Sequence, residues 1–186
     1  MVLGDEHGPS TPTGYKVAPQ SYAKLEAAAT ELRQYLPLVP GTNIIDGQKV
    51  LEVMLPSAGY SYKIAFANEL KDYAAFTIPD EKLIVIREDV YEGLFEGRVF
   101  SLSTVVHELC HIVLRHHVTF HRGSELGKHR HFEDSEWQAK AMTAAVLMPL
   151  DLCRTIQDPR AFADACGSSI QSATYRLNKL HQRGEI

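Results

Sequence analysis

Between Tyr22 and Leu36 apolar residues recur at intervals of three and four (Tyr22, Leu25, Ala29, Leu32, Leu36). That is the period of one face of an α-helix. Ser21 ahead of the run is a good N-cap, because its hydroxyl can accept from a free first-turn N–H, and Pro37 and Pro40 stop the helix. The predicted helix covers Ser21 to Tyr35. Residues 1–20 carry no period and are rich in Gly, Pro, Ser and Thr, the composition of a flexible tail. After a stretch bearing Gly and Pro, SYKIAFA (61–67) is a candidate strand. DYAAFTI (72–78) and KLIVIRE (82–88) are clearer strands, β-branched and aromatic, joined by Pro79-Asp80-Glu81. Proline at the first central turn position suits a type I turn, so these two predict a β-hairpin.

A longer apolar helix is predicted from about Val99 to His117, followed by a polar loop over 118–134. Ser135-Glu136-Trp137-Gln138 fits a capping box and opens a helix that ends near Met148-Pro149. Beyond it lie one short helical piece, Gly167, and an amphipathic helix over about 169–183. The expected class is α+β, with helices around a small antiparallel sheet. The expected division is a tail (1–20), a main domain (21–152) and a C-terminal element (153–186) packed on it.

Composition narrows the partners. The 186 residues are 45% hydrophobic and 23% charged, which suits one globular domain. A net charge of −4 and a pI near 6.1 make the molecule as a whole a poor partner for nucleic acid or anionic lipid. No run approaches the roughly 18 uncharged apolar residues of a membrane span, and MVLGDEHGPSTPTG lacks the basic and apolar regions of a secretory leader. Three scattered cysteines, Cys110, Cys153 and Cys166, do not make a disulfide framework, so a reducing, cytoplasmic setting is expected.

The chemistry lies in VVHELCHIV (105–113). His107 and His111 are four apart, so on a helix their imidazoles share a face and can share one ion. Glu108 projects from the adjacent position, suited to act as a base beside the ion rather than to bind it. Two His on zinc with such a Glu are the parts of metal-assisted hydrolysis, since zinc lowers the pKa of a bound water to about 7. A purely structural His pair is the plain alternative. Val105, Val106, Leu109, Ile112, Val113 and Leu114 make this helix largely buried, and two imidazoles and a carboxylate without a partner there would be costly.

A catalytic zinc takes three protein ligands as a rule. His116, His117, His121, His129, His131, Glu133, Asp134 and Glu136 all lie within reach downstream. Glu136 leads, because it sits in the first turn of a predicted helix and in line with Ala139, Thr143 and Val146, whereas its rivals belong to the loop.

With these residues in place, the chain resembles the ImmA/IrrE family of zinc metallopeptidases. The matching blocks are VVHELCHIVLRHH (105–117) and EWQAKAMTAAVLMP (136–149), the second similar to the family's E-x-x-A-x-x-F-A-x-x-L-M-P block. The resemblance implies a zincin-like minimal metallopeptidase in which His107, His111 and Glu136 bind zinc and Glu108 is the general base. It also implies a protein substrate, a helix-turn-helix repressor or an antitoxin. Cys110 stands where the family commonly has Gly, and Met142 where it commonly has Phe, which bears on packing and metal geometry.

Other features have plainer readings beside functional ones. Cys110 is offset from the ligand face and reads as a small core residue rather than a redox sensor. His121, Arg122, Lys128, His129, Arg130 and His131 make the loop locally basic, a solvated run or a source of oxyanion stabilisation. The strand over 82–88 is either a core strand or the cleft border that pairs with an extended substrate. The C-terminal stretch 163–184 has a helix-turn-helix look, with Arg176, Lys179 and Arg183 as phosphate-contacting candidates. Its apolar stripe of Ile170, Ala173, Leu177 and Leu180 favours packing or a protein contact over DNA.

Overall fold

A computed structural model describes residues 13–70, 73–116 and 129–186. Helix α1 (Tyr22–Arg33) starts where predicted, with the Ser21 hydroxyl accepting from the Lys24 N–H at 3.3 Å, and buries Leu25, Ala29 and Leu32. Helix α2 (Gly47–Lys49) continues through a π turn (Val50–Met54) into α3 (Leu55–Ser57). This segment falls in the Gly- and Pro-bearing stretch for which no element was predicted, and Gly47 and Pro56 within it disfavour a helix locally. Burial of Val50, Leu51 and Leu55 outweighs that local disfavour. Strand β1 (Ser61–Ala65), helix α4 (Ala67–Leu70), β2 (Ala75–Ile78), β3 (Leu83–Arg87) and α5 (Glu88–Phe95) follow. Then come α6 (Val99–Val113), α7 (Ser135–Leu147), α8 (Leu150–Thr155), α9 (Pro159–Cys166) and α10 (Ile170–Gln182).

The β2–β3 hairpin forms in the expected place. Its turn is a 3-10 segment (Pro79–Glu81) closed by Lys82 in the left-handed region at φ 48°. The sheet is mixed, however, not antiparallel. Its order is β1-β3-β2, with β1 parallel to β3. The chain passes through α4 to the far side of β3 before the hairpin, so β3 returns alongside β1 in the same direction. Side-chain parity then divides the sheet. Ala75, Ile84 and Ile86 join the main helical core, while Phe76, Ile78, Leu83 and Val85 gather with Ala65 and Leu70 on the other face.

Helix α6 lies on the helical face of the sheet beside β2, α7 packs on α6, and α1 packs on α7. Fully buried Val106, Cys110, Ala139, Met142 and Val146 lie in this core, so the two positions that depart from the family pattern fill its interior. Asp134, not Ser135, caps α7, its carboxylate accepting from the Trp137 N–H at 2.8 Å. Asp134 also accepts from the Gly14 N–H at 2.8 Å, and the Ser135 hydroxyl accepts from the Tyr15 N–H at 3.0 Å.

Those contacts belong to a segment expected to be a flexible tail. Residues 14–20 instead run along the start of α7. Val17 N–H donates to Glu133 O at 2.7 Å, Gln20 N–H to Phe132 O at 3.0 Å, and Ser135 N–H to Tyr15 O at 3.0 Å. An extended segment bonded through its backbone needs no side-chain period, so the sequence carries no mark of it.

At the other end, α9 and α10 meet at Gly167, whose φ of 63° ends α9. The apolar stripe of α10 buries Ala173, Leu177 and Leu180 but leaves Ile170 half exposed. Arg176 does not face solvent. Its guanidinium grips both carboxylate oxygens of Glu26 on α1, at 2.9 Å for the Nη2–Oε2 contact, and donates from Nε to Met148 O at 3.2 Å. Among the described residues no helix is long and apolar enough to cross a membrane.

Candidate metal centre

His107 and His111 stand one turn apart on α6 with their Nε2 atoms 3.1 Å from each other. The first turn of α7 brings Glu136 against both. Its Oε2 lies 3.3 Å from His107 Nε2 and its Oε1 lies 3.2 Å from His111 Nε2. Ligands at the zinc distances of 2.0–2.1 Å in a tetrahedron are separated by roughly 3.3 Å. Each spacing is close to that edge length, with the two imidazoles facing different oxygens of one carboxylate, and the donor set of two imidazoles and a carboxylate suits zinc. Hydrogen bonds from His107 and His111 hold the Glu136 carboxyl well below the usual carboxylate range, so it is an anion at neutral pH.

Glu108 is buried on the side of α6 that faces β2 and accepts from the Thr77 hydroxyl at 2.7 Å. Thr77 shares the helical face of the sheet with Ala75, and parity alone aims it at α6. The bond fixes the carboxylate next to the ligand pair.

Of the other candidate ligands, none described joins this cluster. Glu133 accepts from Arg130 N–H at 3.1 Å and pairs with Lys16 at 3.6 Å. His129 bonds Asp134 at 2.9 Å, both side chains buried, and His131 lies edge-on to Trp137. His117, His121, Arg122 and Lys128 lie outside the described residues. Cys110 is fully buried, and burial pushes its thiol up to about 12, which suits a core residue.

His116 has a different place from any the sequence suggested. It is buried behind His111, with its Nδ1 3.0 Å from His111 Nδ1 and its Nε2 3.0 Å from Gln138 Oε1. Burial pushes its pKa down to about 4, so the ring is neutral at physiological pH. Gln138 was expected to serve a capping box; it faces His116 instead. No motif or period marks such a pair, because it exists only once α6 and α7 pack together.

A cleft of about 930 Å³ opens over these groups, lined by β2, by Thr13 to Tyr15, and by Ser103, Thr104 and Lys140. The strand bordering it is β2, not the 82–88 strand. β3 has partners on both sides, whereas the outer edge of β2 pairs with no strand among the described residues.

No family model matches this chain, and no curated protein does. A solved structure, a Mycobacterium tuberculosis transcriptional regulator, is similar in fold with a TM-score of 0.52 and 16% sequence identity. The match covers 83% of this chain and 46% of that one, so this chain spans less than half of the regulator's length. At that identity the likeness concerns the fold.

Proposed function

We propose that this protein is a zinc-dependent endopeptidase acting on a protein partner, with His107, His111 and Glu136 as ligands and Glu108 as general base. The convergence of two imidazoles and a carboxylate within 3.1–3.3 Å of one another, with a buried carboxylate on the residue next to the first imidazole, carries this reading. A zinc ion held by these ligands would supply the Lewis acid that acidifies a water molecule and polarises a carbonyl. Glu108 takes the proton at its carboxylate and returns it to the leaving amine. The Thr77 hydroxyl keeps that carboxylate in position while its strand, β2, presents an edge that no described strand pairs with to the backbone of an extended peptide.

The resemblance to the ImmA/IrrE blocks supports a helix-turn-helix repressor or an antitoxin as substrate, in the cytoplasm. Fold likeness to a transcriptional regulator is in keeping with a regulatory setting. The competing reading, a metal-holding module that binds DNA through α10, loses one of its three cations to the Glu26 pair. A second, Arg183, lies over the Tyr22 ring at 4.2 Å.

The test compares protein N-termini in host cells carrying wild type or Glu108→Gln. A new terminus found only with wild type is the expected result. Its absence, with purified protein holding one zinc, would overturn proteolysis. Glu136→Ala should strip zinc and Glu133→Ala should not; the reverse would sink the ligand assignment.

A further inference from the structure

Behind the three ligand atoms lies a chain of hydrogen bonds whose direction is set from its far end. The Gln138 amide nitrogen is 2.8 Å from Ala18 O and 2.8 Å from Phe132 O. Carbonyl oxygens only accept, so both amide protons are committed there and the amide cannot be turned over. Its Oε1 therefore faces His116 Nε2 as an acceptor at 3.0 Å, and that nitrogen must carry a proton. His116 is buried and has no carboxylate among its hydrogen-bond partners, so the ring carries that one proton and its Nδ1 is a bare lone pair. It lies 3.0 Å from His111 Nδ1. Two lone pairs would repel at that distance, so His111 Nδ1 is the donor.

We propose that His116 and Gln138, anchored by the carbonyls of Ala18 and Phe132, are positioning residues that lock His111 with its proton on Nδ1 and aim the Nε2 lone pair at the metal. The metal half rests on the zinc reading above; the proton placement does not. Because Ala18 belongs to the N-terminal segment, that segment becomes part of the metal site although it supplies no ligand. A second contact points the same way. A Cβ on Gly14 would lie 2.7 Å from the Glu136 N and 2.8 Å from its Cγ, so residues 14–18 brace both the Glu136 ligand and the support of His111.

Long-range ¹H–¹⁵N correlation of the imidazole rings in wild-type protein, zinc-free and zinc-loaded, reads the proton positions directly. The expected pattern is His116 neutral with its proton on Nε2, and His111 Nδ1 protonated in both states. A His116 proton on Nδ1, or a bare His111 Nδ1, would overturn the relay whether or not zinc binds. Competition titration with a zinc chelator should show His116→Phe and Gln138→Met weakened by about 10- to 100-fold, the cost typical of a lost outer-shell partner. Thermal melts of the zinc-free variants report folding separately. Lower melting temperatures with unchanged zinc affinity would reduce both residues to packing and overturn the positioning role. Failure of wild type to take up zinc would sink the zinc reading, while the ring correlations still decide the proton order.

Discussion

Arg176 decides whether α10 is a nucleic-acid helix or a strut, and its removal has a calculable effect. The side chains of Arg176 and Glu26 are 6% and 13% exposed, so Arg176→Met leaves the Glu26 carboxylate without its partner inside the protein. Breaking one side of a buried pair costs about 3–5 kcal/mol. For a chain of this length each kcal/mol shifts the melting temperature by about 2–4 °C, so the expected fall is roughly 6–20 °C. Glu26→Leu should lose stability for the mirror-image reason, with the guanidinium left to the Met148 carbonyl. The double variant Glu26→Leu with Arg176→Met removes both charges and should recover most of the loss, since apolar replacement of a whole buried pair is often neutral. Calorimetry or urea melts of the four proteins give the coupling energy. An Arg176→Met protein that melts within about 2 °C of wild type but loses affinity for duplex DNA would refute the strut and revive the nucleic-acid reading.

His116 makes a pH prediction for the zinc-free protein. Its pKa is about 4 when folded, against 6.5 in the unfolded chain, so the unfolded state binds more protons between those values. Stability should therefore fall by about 3 kcal/mol as pH drops from 6.5 to 4, and His116→Phe should flatten that part of the curve. Urea melts with equal slopes in both proteins would contradict it. Thr77→Val should leave zinc uptake intact while slowing substrate cleavage on the order of tenfold, since a displaced Glu108 needs only about 1.4 kcal/mol of lost alignment. Unchanged turnover would show that Glu108 needs no support from β2. All three cysteines are buried, and burial pushes Cys110 up to about 12 and Cys153 and Cys166 up to about 11. A thiol reagent at pH 8 should label none of them until the protein unfolds; rapid native labelling would show that the core opens.

The parts of this fold that were legible in the sequence are those whose signal is local. Periodicity placed α1, α6 and α7, and turn chemistry placed the hairpin, because amphipathic spacing and Pro-Asp act within a few residues. The HExxH spacing and the helical position of Glu136 pointed to the residues that the fold brings together. Other features depend on partners far away in the chain. The parallel pairing of β1 with β3 depends on the path through α4, which no strand sequence encodes. Helix α5 spans only Glu88–Phe95, too short a stretch for a period to mark it, and contains Gly93. In the fold a Cβ there would lie 2.2 Å from the Ser101 Oγ, so the glycine serves a close helix approach. The cap of α7 was misplaced by one residue, since Asp134 and Ser135 are both good caps and only the contacts of Gly14 and Tyr15 separate them. His116 and Gln138 are 22 positions apart and carry no shared motif.

The N-terminal segment also has a practical consequence at the bench. Thr13 lines the cleft, and a dozen residues of extended chain reach at most about 40 Å. An oligohistidine affinity tag fused ahead of Met1 is thus tethered within reach of the donor cluster. Its imidazoles would compete with His107 and His111 for a limiting ion and would hold further ions of their own. Metal stoichiometry measured on tagged material would then report the purification handle as much as the protein, and a tag-free preparation is the one that can be counted.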